Sequence, residues 1–130
     1  RFWITLDQGV AFVLSCFSMM RGGEIFIPKI PSMKMVDMAT ALAPDLSHEV
    51  VGIRPGEKLH EVMITEDDAV TTVELSDRYV IEPAIHLWDG ESSVSDGSKP
   101  VAEGFRYASN TNEDWLDADA LRELMTHMEQ

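Results

Sequence analysis

An α+β domain of small mixed sheet pieces and about four helices is the fold class that these 130 residues predict. Three observations predict it. Apolar residues recur at helical spacing in separated stretches. Short β-branched runs bounded by Gly, Pro, Ser and Asp lie between them. No succession of long apolar strands appears, and a complete doubly wound domain needs several strand–helix–strand units of about 30 residues each.

The elements follow in order. Thr5 with Gln8 has the spacing of a capping box, and Leu6, Val10, Val13, Leu14 and Phe17 share a helical period, which predicts a helix over roughly 5–20 ending at Gly22-Gly23. Glu24 to Pro28 predicts a strand, and Pro28 and Pro31 force an extended connection. Ser32 is positioned to cap a second helix with Met35, Met38, Ala39 and Leu42 on one face, stopped by Pro44. Glu49 to Ile53 predicts a strand that runs into the Pro55-Gly56 turn, with a third short helix to about Met63. Thr71–Glu74 and Arg78–Ile81 predict two strands around Ser76-Asp77. Residues 90–99 predict a flexible polar loop, and Tyr107 to Ser109 a last strand edge. Asp117 then caps a final helix carrying Leu121, Leu124, Met125 and Met128.

Composition narrows the function classes. Ten Lys and Arg against 23 Asp and Glu give a net charge of −13. That balance opposes binding to a nucleic-acid backbone, which needs clustered cations for counterion release. A phosphate ligand would therefore need a local exception to the overall field. The apolar run Val10 to Met20 is about half a membrane span and contains Ser15 and Ser18, and it lacks the flanks of a signal peptide. Cys16, the single cysteine, has no intrachain disulfide partner; within an apolar stretch it reads as a small buried residue, and a reducing cytoplasm follows. The Arg1-Phe2-Trp3 start, with no initiator methionine, reads as part of something longer.

The most informative segment is Gly-Ile-Arg-Pro-Gly-Glu-Lys-Leu-His-Glu at 52–61. An arginine at the end of a strand, a tight turn and a helix opening beside it form a good seat for a diphosphate, which a guanidinium grips through two parallel hydrogen bonds. The spacing alone favours the plainer reading, Arg54 paired to a surface carboxylate beside an ordinary Pro-Gly turn. His60 and its neighbours Glu57 and Glu61 admit a metal or base cluster, or simply a charged solvated face; no metal site is expected. Trp88 has no assignable role.

Five ordered segments carry a resemblance. They are Arg-Phe-Trp-Ile-Thr at 1–5, Gly-Gly-Glu-Ile-Phe-Ile-Pro-Lys-Ile-Pro-Ser-Met-Lys at 22–34, the 52–61 segment, Asp-Arg-Tyr-Val-Ile-Glu-Pro at 77–83, and Tyr-Ala-Ser-Asn-Thr-Asn at 107–112. Together they resemble the C-terminal half of the inverting UDP-N-acetylglucosamine 4,6-dehydratases, extended short-chain dehydrogenase/reductases of the polysaccharide-biosynthesis branch. The resemblance implies that residues 1–130 are the substrate (nucleotide-sugar) domain, without its Rossmann domain. It implies that Arg54 contacts the nucleotide diphosphate, that Glu57 faces the nucleoside side, and that Arg1 lies against the sugar nucleotide. Ile27, Pro28 and Lys29 would run past the uracil, where backbone groups read the base edge. Ser109 and Asn110 complete the implied substrate contacts. The full-length family enzyme uses NADP, acts on a UDP-sugar, and carries out hydride transfer at C4, loss of water across C5 and C6, and return of hydride.

The motifs for that chemistry are missing. The eight glycines never fall in a pyrophosphate-binding Gly-x-x-Gly-x-x-Gly or Gly-x-Gly-x-x-Gly pattern. Tyr79 and Tyr107 are followed four positions on by Pro83 and Thr111, so neither is the tyrosine of a Tyr-x-x-x-Lys pair. The chain is therefore expected to be non-catalytic, to hold no cofactor itself, and to bind a UDP-sugar weakly. A rival expectation is a self-associating interaction module derived from such an enzyme. A homo-oligomer is expected under either reading, because an apolar face that loses its partner domain is rarely left bare.

Overall fold

The structure, a computed structural model, describes residues 1–85 and 97–128. In chain order its elements are α1 (Leu6–Cys16), β1 (Ile25–Pro28), α2 (Met35–Leu42), β2 (Val62–Ile64), α3 (Glu66–Ala69), β3 (Thr72–Glu74), β4 (Arg78–Ile81), β5 (Lys99–Pro100), β6 (Tyr107–Ala108) and α4 (Ala118–Met128). Four helices and small sheets among the described residues make this an α+β fold. They form two compact units. One comprises residues 1–5, 30–61 and 108–130, the other 6–29 and 62–107.

The second of these units is organised by a four-stranded antiparallel sheet in the order β1-β4-β3-β5. Ile25 pairs with Ile81 and Ile27 with Tyr79, while Val73 pairs with Val80 across β3 and β4. Alternation puts Val73 and Val80 on one face, where Met19, Phe26 and Leu75 pack on them. Tyr79, on the other face, lies with its ring centroid 5.1 Å from both Phe105 and Tyr107. A separate two-stranded sheet joins β2 and β6.

Helix α1 has no buried residue. It is held to β4 by Arg78, which is 5% exposed. The guanidinium lies over the Phe12 ring at 4.7 Å and donates to Ser15 Oγ at 2.8 Å and Cys16 Sγ at 3.3 Å. Two further bonds, at 2.9 and 2.6 Å, go to Asp77. Cys16 is half-buried and free. The helix ends at Cys16 rather than at the glycines, because Ser15 and Ser18 turn their hydroxyls onto the carbonyls of Phe12 and Ser15 and loosen the last turn.

The other unit has its core where α2 meets α4. Met33, Ala41 and Leu121 are buried there, with Trp3, Met38, Leu116 and Ala118 against them. Asp117 caps α4 as expected, its Oδ1 accepting the N–H groups of Asp119 and Ala120 at 3.0 and 2.8 Å. Ser32 is not the cap of α2. Lys34 occupies that position without a side-chain bond. Ser32 is instead wholly buried, its N–H donating to Asp114 and its carbonyl accepting from Leu116. Met35 and Leu42, expected on the buried face, are half-exposed because α2 presents Met38 and Ala41 to α4.

Two other expectations change. Residues 49–53 form no strand, and the helix expected to run to Met63 is absent. The reason is local. Gly56 sits at φ 82°, outside helical space, and Leu59 is 84% exposed, so no core holds an amphipathic face in place. A short helix appears instead at α3, opened by a capping box in which Thr65 and Asp68 satisfy each other's backbone N–H. Of the expected 90–99 loop, residues 90–96 lie outside the described residues, as does Trp88, while Lys99 belongs to β5.

Candidate functional site

The expected anchor lies in a β-turn. Glu57 N–H donates to the Arg54 carbonyl at 3.0 Å, with Pro55 at the second position and left-handed Gly56 at the third, the requirements of a type II turn. The Glu57 carboxylate folds back to accept the Arg54 backbone N–H at 2.9 Å. Arg54 is exposed, and among the described residues its guanidinium enters no ion pair. The turn therefore presents the charge while the glutamate stiffens its base.

Arg1 is fixed by different means. Residues 1–3 run along 31–33, with Met33 N–H donating to the Arg1 carbonyl at 2.9 Å and Trp3 N–H to Pro31 at 2.8 Å. This short backbone ladder delivers the Arg1 side chain beside the 58–61 segment. There its guanidinium pairs with Glu61 and donates to the Lys58 carbonyl. Glu61 is itself held by Ser109, which is 2% exposed. The Ser109 hydroxyl accepts the Glu61 N–H at 2.9 Å, and the Ser109 N–H donates to the Glu61 carbonyl at 2.9 Å.

These residues border a cleft of about 860 Å³ contained within one unit. Arg1, Lys34 and Lys58 bring three of the chain's ten Lys and Arg residues to its lining, against Glu57. In a chain of net charge −13 this is a local cationic exception. Much of the remaining wall is apolar, from Met33, Met35, Val50, Val51 and Ile53, with the edge of Trp115. Trp115 is fixed by its Nε1–H, which donates to the Asn112 carbonyl at 2.6 Å. Such a wall suits a ligand with an apolar ring and an anionic group.

Of the residues singled out from sequence, Arg1, Glu57, Ser109 and Asn110 line this cleft, and Arg54 stands on the turn that carries Glu57. Ile27, Pro28 and Lys29 belong to the other unit. Ile27 is buried in β1. Lys29 has structural partners, with its Nζ 2.6 Å from Glu74 and 4.9 Å above the Tyr79 ring. Its N–H bonds the Asp77 carbonyl at 3.0 Å. That bond sets the alternation along β1, so Phe26 turns its N–H and carbonyl to the side away from β4. Lys34 and Lys58 were not expected in the site, and Glu61 only as a member of a metal or base cluster or of a charged solvated face. Lys58 and Glu61 lie inside the 52–61 segment, but their spacing alone does not say that they close around Arg1.

Among the described residues no group of three or more His, Cys, Asp and Glu gathers to hold a metal ion. Nor do they fit an NADP pyrophosphate, because α1, α2 and α4 open after Ile4-Thr5, Met33-Lys34 and Leu116-Asp117, with no glycine-rich turn. No described helix is long and apolar enough to cross a membrane.

The class these features define is an α+β domain with a small cationic cleft in one of its units. The chain belongs to the polysaccharide biosynthesis protein family, whose pattern matches residues 1–83. It is 51% identical, over 99% of its length, to a UDP-N-acetylglucosamine 4,6-dehydratase (inverting) of Campylobacter jejuni subsp. jejuni. It is 50% identical over the same share to the enzyme of that name from a second strain. The chain spans 40% of the length of each relative. The X-ray structure of Pen from Bacillus thuringiensis has the same fold, with a TM-score of 0.80 and 25% identity over 99% of this chain and 39% of that one.

Proposed function

We propose that this chain is the nucleotide-sugar-binding portion of a UDP-N-acetylglucosamine 4,6-dehydratase, with residues 1–130 its substrate domain. The observation that carries the reading is the cationic cleft: Arg1, Lys34 and Lys58 line it, and Arg54 is exposed on the adjoining turn, in a strongly acidic chain. In this reading Arg54 grips the diphosphate and Glu57 sets the turn that presents it. Arg1 and Asn110 bound the sugar nucleotide, and Ser109 fixes the wall behind. Ile27, Pro28 and Lys29 are proposed as the base-reading strand, where the edge groups of Phe26 and the Pro28 carbonyl are the ones turned away from β4. NADP and the redox chemistry belong to the whole enzyme. This chain is proposed to be non-catalytic and to work in the cytoplasm, in keeping with its free Cys16.

The test is a titration with UDP followed by chemical-shift mapping. The expected result is binding with Kd on the order of millimolar, with shifts clustered at Arg54, Glu57 and Asn110. Arg54→Lys should weaken it although the charge is kept, since an ammonium lacks the planar two-point grip. Absence of shifts around the cleft would remove the site assignment. The second reading, a self-associating interaction module, is favoured by one specific observation, the exposed apolar side chains of α1.

A further inference from the structure

We infer that Glu61 is a positioning residue for the anion site, holding the Arg1 guanidinium at the cleft wall and itself set by Ser109. The role rests on the cleft being the anion site proposed above. The observations form a chain of contacts within one unit. Ser109 takes both backbone groups of Glu61, through its hydroxyl and its N–H, each at 2.9 Å. A residue tied at both N–H and carbonyl has little freedom, so its carboxylate starts from a fixed point. That carboxylate pairs with one terminal nitrogen of Arg1, and the Lys58 carbonyl accepts from the other. The backbone of Arg1 is independently pinned to Met33. Arg1 thus has its main chain and two of its five N–H donors committed, with the remaining donors left for a ligand in the cleft it lines.

The chemistry makes this more than an ion pair. A carboxylate beside an anion site lowers the local potential and, by charge alone, opposes an incoming diphosphate. Glu61 therefore helps an anion bind only if fixing the arginine outweighs that repulsion. Lys58 and Lys34 offset part of the charge. A long side chain left mobile must be ordered when the ligand arrives, whereas one already held is not.

The two effects have opposite signs, which makes the test direct. Glu61→Ala removes a negative charge, so charge alone predicts tighter binding of UDP. Positioning predicts weaker binding, by about five-fold from the cost of ordering one rotamer-rich side chain. The variant should keep the fold, because Ser109 holds backbone groups that alanine retains. Glu61→Gln keeps an oxygen acceptor for Arg1 and should recover at least half of the loss, a rescue that a general loss of structure would not show. The measurement is the UDP titration by chemical shift on the full 130-residue chain. Weaker binding by Glu61→Ala with recovery in Glu61→Gln supports the role. Binding by Glu61→Ala as tight as the unsubstituted chain, or a Glu61→Gln variant no better than Ala, overturns it while leaving the cleft reading intact. If UDP moves no cleft resonance in the unsubstituted chain, the cleft reading itself falls and the role of Glu61 falls with it.

Discussion

Arg78 carries a task that apolar contacts usually perform. A buried charge is costly unless it is paired and hydrogen-bonded, and Arg78 meets both conditions through Asp77, Ser15 and Cys16. The same bonds hold the Asp77 carboxyl below its ordinary value, chiefly through the Arg78 hydrogen bonds. A carboxyl whose folded value is depressed contributes stability above its unfolded value, near 3.9, and loses that contribution as pH falls through the folded value. The melting temperature should therefore fall as the medium is acidified below about pH 4. Asp77→Asn should start lower at neutral pH and fall less steeply over that range. Parallel acid limbs for the two proteins, measured by thermal denaturation, would show that the pair contributes nothing. Asp68, depressed by the Thr65 hydrogen bonds, acts in the same direction in both proteins and so cancels in the comparison.

At the scale of elements, two glycines separate backbone conformation from packing. Gly56 at φ 82° and Gly23 at φ 92° are both left-handed, a conformation that costs other residues roughly 1–2 kcal/mol. A methyl on Gly56 meets nothing within 4 Å, whereas one on Gly23 meets Pro83 Cβ at 3.3 Å. Gly56→Ala should thus cost only the conformational penalty, about 1 kcal/mol. Gly23→Ala should cost more, because Pro83 has to give way. Urea denaturation midpoints decide the order, and a Gly56→Ala variant at least as destabilised as Gly23→Ala would contradict it. The turn at Gly56 also matters for the cleft, since the left-handed residue closes the turn and lets Glu57 reach back to Arg54.

At the scale of the whole molecule, the surface of α1 dominates. Leu6, Val10, Val13 and Leu14 are 78, 51, 55 and 62% exposed on a helix anchored to its own unit by a polar clamp, and Phe17, just past its end, is 63% exposed. Burying apolar surface stabilises by about 25 cal/mol per Å², so covering several such side chains favours association. Sedimentation at tens of micromolar, an order-of-magnitude concentration for a modest interface, should show a dimer or larger species. Leu14→Asp should shift it to monomer with little change in melting temperature, because Leu14 supports no core. A purely monomeric unsubstituted chain would count against self-association.

Local pattern was enough for the α+β class, the spans of β1, β3 and β4, and the Asp117 cap, because each depends on local periodicity or on one side chain reaching a nearby N–H. It also exposed the Arg-Pro-Gly-Glu turn, since Pro55 and Gly56 dictate their own geometry. It misplaced the third helix, which needed a buried face that Leu59 does not find, and it passed over the Thr65–Asp68 capping box, whose signal was present at the right spacing. Tertiary structure alone decided the rest. Ser32 became a buried junction with Asp114 and Leu116 rather than a cap, and α1 turned its apolar residues outward because Arg78 holds its inner side. Glu61 lies 48 positions from Ser109 and further still from Arg1, and no local pattern records a meeting at that separation. Long-range contacts bring them together, and those contacts come from the packing of many residues at once.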